Sequence, residues 1–157
     1  YDQQQNKTGP PENYPEDPFF LSAGKPYDFF IILHSRRLRS CDNNIIASTH
    51  NMREENNDVT AHAEILAIKE AQQKLKTSRL TGCEMYVTLE PCPMCSWAII
   101  QTGIKTLYFG SYNTQYGAMG SVLDLPKLAN SKIKVYGGIE EEKCNKILET
   151  FFEGIRK

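Results

Sequence analysis

The chain has 157 residues, 40% of them hydrophobic, which suffices for one domain with a real core and falls short of two comfortable ones. Its formal net charge of −1 excludes a global electrostatic grip on nucleic acid, so any such binding would have to rely on a local basic patch. No apolar run approaches the roughly eighteen residues of a membrane-spanning helix and no signal-like start occurs, so the expectation is a soluble, cytoplasmic protein without a membrane partner.

Residues 1–26, rich in Gln, Asn, Pro and Gly, predict an irregular or flexible leader, leaving residues 27–157 as a single domain. The aromatic and branched run Tyr27-Asp-Phe-Phe-Ile-Ile-Leu33 predicts a buried strand. The polar stretch 35–44 places Arg36, Arg37 and Arg39 close together, either as a solvated loop or as a phosphate contact. Asn44-Ile-Ile-Ala-Ser-Thr49 reads as the next strand, with His50-Asn51 directly behind it. From 61 to 76, Ile65, Ile68, Ala71 and Leu75 recur at helical spacing, and Leu66 widens the stripe.

Residues 84–89 form the strand that delivers a cysteine motif, and 92–101 a short helix ended by Gly103. Strands at 105–110 and 133–136 follow, separated by a Gly-rich polar loop over 111–121 that is expected near the active site. Residues 140–156 carry Cys144, Ile147, Leu148, Phe151 and Phe152 at helical spacing, which is a terminal amphipathic helix. Strands and helices alternate, so the fold class is α/β, a three-layer α/β/α sandwich around a mixed sheet of about five strands.

Chemistry concentrates in two short stretches, Thr60-Ala-His-Ala-Glu64 and Thr88-Leu-Glu-Pro-Cys-Pro-Met-Cys95. Cys92, Cys95 and His62 supply two thiolates and an imidazole, a ligand set that leaves the fourth tetrahedral position of a zinc ion open for water. Neither His34 nor His50 stands at a spacing that would close the site as a structural one. Residues two apart point about 200° away from each other in mid-helix, so His62 and Glu64 share a site only at a helix's first turn. Thr60 or Asp58 is the expected N-cap there. Cys92 and Cys95, three apart after Pro91, suit a second helix start, whose partial positive charge favours thiolates. A metal so held polarises water, and Glu64, as a carboxylate outside the ligand set, can carry protons. Five cysteines form no disulfide framework and fit a reducing compartment, with Cys41, Cys83 and Cys144 expected as small buried or semi-buried residues.

His62-Ala-Glu64 together with Pro91-Cys92-Pro-Met-Cys95 resembles the signature of the zinc-dependent nucleoside and nucleobase deaminases, the cytidine deaminase-like superfamily. Within that superfamily the chain from about Asn44 onward is most similar to the bacterial-type tRNA-specific adenosine deaminases. His50-Asn51, the Gly117-Ala-Met-Gly-Ser121 loop, Gly137-Gly-Ile139 and the closing Phe151-Phe152 all follow that pattern in order. The resemblance implies that His62, Cys92 and Cys95 hold Zn2+ and that Glu64 is the catalytic proton carrier. It implies the tRNA anticodon stem-loop as partner, with its wobble adenosine as substrate and inosine as product, a form of RNA editing, and it implies a homodimer. Asn51, Ala63, Asn113, Phe151 and Phe152 are the implied substrate contacts, Asn51 reading the base edge and the Phe pair packing on the loop.

The family's N-terminal helix and its Pro-Val-Gly-Ala type of first strand are not recognisable between Tyr1 and Asp42, and Asn113 stands where the subfamily usually has an aspartate near the ribose. The alternatives are a deaminase of a free base or nucleoside such as guanine, cytosine or cytidine, or an inactive zinc-binding homologue. Glu64 argues against the last, because a structural metal site has no use for a carboxylate beside the ion.

Overall fold

In the computed structural model the described residues are 31–35 and 45–155, with side chains over 45–153. Five strands, β1 (Ile31–Ser35), β2 (Ile45–Thr49), β3 (Cys83–Leu89), β4 (Thr106–Ser111) and β5 (Lys134–Tyr136), form one sheet in the order β2-β1-β3-β4-β5. β1 runs antiparallel to both of its neighbours, whereas β3, β4 and β5 are mutually parallel. Between them lie α1 (Arg53–Asn56), α2 (Ala63–Leu75), α3 (Pro93–Thr102) and α4 (Leu125–Leu128), and α5 (Glu141–Ile155) follows β5.

The two central strands explain the layering. β3 is buried from Cys83 to Thr88 and β4 along its whole length, so both faces of the parallel part of the sheet need covering. On one face Met85, Val87, Leu107 and Phe109 pack with Ala63, Ala67, Ile68 and Ala71 of α2 and with Ile99 of α3. Met85, Leu107 and Phe109 are almost completely enclosed, each stabilising the fold by about 2 kcal/mol through apolar burial. On the other face Tyr86 stacks on Tyr108 and Tyr108 on Tyr136, with ring centroids 4.6 and 5.2 Å apart, and Ile139 joins them. α5 reaches this second face at Gly110, where an added Cβ would overlap the Cys144 side chain and approach the Thr88 carbonyl to 2.9 Å. Helices therefore lie on both sides of the sheet.

The expected elements from residue 44 onward stand within a residue or two of their predicted ends, and α3 closes on Gly103 as its C-cap. Of the predicted first strand, residues 31–33 fall in β1. Residues 27–30, the leader over 1–26, Arg36, Arg37, Arg39 and Cys41 lie outside the described residues. Cys83 and Cys144 are buried free thiols, as expected. Two one-turn helices were not foreseen, because four residues carry no apolar period. They are started locally, α1 by Asn51 Oδ1 accepting the Arg53 N–H and α4 by the Asp124 carboxylate accepting the Lys127 N–H. No helix among the described residues is long and apolar enough to cross a membrane.

Candidate active site

Two helix starts converge beyond the C-terminal end of β3. His62 is the N-cap residue of α2, in extended backbone conformation, and Glu64 is that helix's second residue. Cys92 is the N-cap of α3, Pro93 supplies the fixed φ of its first turn, and Cys95 follows as the third helical residue. The expected capping by Thr60 or Asp58 does not occur. The Asp58 carboxylate instead accepts the backbone N–H (2.8 Å) and hydroxyl (2.7 Å) of Thr60, closing a turn ahead of the helix and delivering His62 to the cap position. The start of α2 is fastened to the sheet by the Thr49 hydroxyl, which donates to the Ala63 carbonyl at 2.7 Å.

His62, Cys92 and Cys95 form a group that could hold a metal ion, the one such group among the described residues. His62 Nδ1 lies 3.7 Å from Cys92 Sγ and 3.5 Å from Cys95 Sγ. A tetrahedral ion with metal–sulfur bonds of about 2.3 Å and metal–nitrogen bonds of about 2.0 Å needs roughly 3.5 Å between nitrogen and sulfur, which both measured distances match. Glu64 stands outside that group and lines the same cleft as His62 and Cys92.

The electrostatics of the three acids are coupled. The Cys92 thiol is pulled down to about 5, chiefly by the hydrogen bond from the Cys95 thiol and further by backbone amides of the first turn of α3 and by His62. The Cys95 thiol, holding the shared proton in a buried place, is pushed far up. Burial pushes the Glu64 carboxyl up to about 7, and the neighbouring Cys92 charge adds to it. A carboxyl in that range can both take and give a proton near neutrality.

A cleft of about 630 Å3 opens over this cluster. His62, Ala63, Glu64 and Cys92 line it, and so do all the other expected contact residues, Asn51, Asn113, Phe151 and Phe152. Cys95 is fully enclosed beneath. Phe151 and Phe152 meet edge to face, centroids 5.5 Å apart, and Phe152 is 48% exposed. Asn113 uses its side-chain oxygen within its own loop, accepting the N–H groups of Gln115 (3.2 Å) and Tyr116 (3.0 Å). Arg53, Tyr112 and Tyr116 also face the cleft and were not singled out from sequence. Glu90, too, was missed. Its signal was present, a carboxylate between a buried strand and a proline, two residues before Cys92.

Such a site on a three-layer α/β/α sheet is that of a deaminase domain. The chain belongs to the MafB19-like deaminase family, whose family model matches residues 35–156. It is similar to the tRNA-specific adenosine deaminase of Aquifex aeolicus, 46% identical over 116 residues that make up 71% of this chain and 75% of that one. The tRNA-specific adenosine deaminase of Bacillus subtilis is 41% identical over 115 residues, 72% of this chain and 71% of that protein. Among solved structures, one from a study of A-to-I editing by tRNA:A34 deaminases at the wobble position of transfer RNA superposes with a TM-score of 0.68. It is 36% identical, covering 76% of this chain and 83% of its own.

Proposed function

We propose that the chain is a zinc-dependent hydrolytic deaminase that converts the wobble adenosine of a tRNA anticodon to inosine, releasing ammonia. The observation that carries this is the donor geometry just described, with a carboxyl poised at about 7 beside it and a cleft above it. The relatives named above supply the substrate class. His62 Nδ1 and the sulfurs of Cys92 and Cys95 would hold the zinc, which when bound makes a water nucleophilic near neutral pH. Glu64 takes one proton of the attacking water and places it on the ring nitrogen, then takes the remaining proton from the added hydroxyl and delivers it to the amine, which departs as ammonia.

Asn51 and Asn113 spend their side-chain oxygens on the backbone, so what each offers an adenosine is its amide N–H donors. Ala63, small and buried between His62 and Glu64, leaves room for a planar base against the start of α2. Phe151 and Phe152 pack against unstacked nucleotides of the anticodon loop. Met94 and Trp97 on α3, Val122 and Leu123 on the loop between β4 and α4, and Leu128 on α4 are large exposed apolar side chains, and α3 packs against α4. They support the homodimer, which sedimentation at several concentrations would test. Free thiols at Cys83 and Cys144 support a reducing, cytoplasmic setting.

The deciding assay incubates the protein with anticodon stem-loop RNA, and separately with free adenosine, guanine, cytosine and cytidine, with and without a chelator. Inosine at the wobble position, lost on chelation and restored by zinc, is expected. Turnover of a free base with none of the RNA would replace this reading by the free-base one.

A further inference from the structure

Glu90 has no part in the mechanism above, although it is only 1% exposed and stands two residues before Cys92. A carboxylate so enclosed persists only where hydrogen bonds replace its water. Its Oε1 accepts the backbone N–H groups of Met119 (3.0 Å) and Ser121 (3.2 Å). Its Oε2 accepts the N–H of Asn113 (3.2 Å) and the Ser121 hydroxyl (2.5 Å). Both ends of the 113–121 loop thus converge on one side chain. The surrounding backbone reinforces the tie, since the Glu90 N–H donates to the Ser111 carbonyl at 2.9 Å and the Ala118 N–H to the Pro91 carbonyl at 3.0 Å. Gly117 lies against the same carboxylate, where a Cβ would overlap Glu90 Oε2 and the Ser121 hydroxyl.

We propose that Glu90 is a positioning residue that fixes the cleft wall formed by Asn113 and Tyr116 at a set distance from the metal-binding segment, and so decides how the substrate sits over His62 and Cys92. The proposal rests on the deaminase reading for what the wall contacts, and on hydrogen bonding alone for how the wall is held. All four partners are donors, matched to two acceptor oxygens. A glutamine in this place would set its NH2 against at least one N–H whichever way it turned, because only the Ser121 hydroxyl can reverse its role.

The test compares wild type, Glu90→Gln, Ser121→Ala, Asn113→Ala and the Glu90→Gln/Asn113→Ala double variant, each loaded with zinc. Amide hydrogen exchange, metal content, and KM and kcat on anticodon stem-loop RNA are measured. In Glu90→Gln, exchange at Asn113, Met119 and Ser121 should accelerate about tenfold or more while β3 and β4 keep their protection. Zinc should remain at one per chain, and KM should rise by about an order of magnitude with a smaller change in kcat. Ser121→Ala should show the same pattern more weakly. Adding Asn113→Ala to Glu90→Gln should then cost less than about twofold, because the wall is already displaced. Unaltered exchange in the loop, zinc lost in step with activity, or fully additive kinetic losses would each overturn the proposal. Exchange and metal content decide it even if the wild-type chain deaminates no RNA, so failure of the RNA reading is distinguished from failure of this one.

Discussion

The two walls of the cleft are made in different ways. One consists of the first turns of α2 and α3, where His62, Glu64, Cys92 and Cys95 are set by helix geometry and by a core packed to completion behind them. The other consists of the 112–116 stretch, held by side chain to backbone bonds, and the Phe151-Phe152 pair on α5, partly exposed and drawn from a segment far away in sequence. On the proposed reading the first wall supplies the chemistry, and it is backed by the core cluster against the sheet. On that reading the second chooses what is presented to that chemistry, and the placement of its 112–116 stretch depends on a few polar ties. Damage to the first wall should therefore abolish turnover, whereas damage to the second should change which substrate binds and how well.

The largest effect expected is from Cys92→Ala. With one donor removed, the metal is lost, turnover falls to background, and the melting temperature drops because binding of the ion is linked to folding. Metal analysis with a thermal scan checks this, and full zinc content at an unchanged melting temperature would refute it. Glu64→Ala comes next and acts differently. It should keep the metal and the fold while lowering kcat by roughly 10^2 to 10^4-fold, the usual share of a positioned proton carrier. Comparable deamination by that variant would remove Glu64 from the mechanism. Phe152→Ala touches only the second wall. Base stacking is worth about 1–3 kcal/mol by such a substitution, so KM for the stem-loop should rise roughly 5- to 150-fold with the melting temperature almost unmoved. If RNA affinity is unaffected, the Phe pair belongs to the fold alone.

The same division marks what could be read from the residues in advance. The group of His62, Cys92 and Cys95, which could hold a metal ion, was legible because its geometry is local. The two-residue spacing restricts His62 and Glu64 to a helix start, the three-residue spacing after Pro91 suits one for Cys92 and Cys95, and those starts are where they stand. The strands and long helices were legible through their periods and their buried runs. What escaped depended on contacts between distant segments or on single turns. Asp58 looks like a helix cap in sequence, but its carboxylate is consumed by Thr60 two residues on, and His62 takes the cap position. Glu90 carries only a local hint, its place between a buried strand and a proline, and its role shows only where the loop returns to it, 23 to 31 residues later, with four donors.

The smallest effect tests whether α2 serves the site through its N-terminal turn alone. At the far end of that helix, Lys74 Nζ donates to the Ile46 carbonyl at 2.8 Å and pairs with Glu70 at 2.5 Å, with its side chain 56% exposed. Such an exposed pair contributes about 0.2–1 kcal/mol, much of it offset by the entropy of holding a long side chain. Lys74→Met should therefore lower stability by no more than about 1 kcal/mol, less at high salt, and leave zinc content, kcat and KM unchanged. Denaturant titration beside steady-state kinetics checks both parts. A marked fall in turnover would mean that the tie between α2 and β2 governs where His62 sits, and that the first wall is less self-sufficient than its core packing implies.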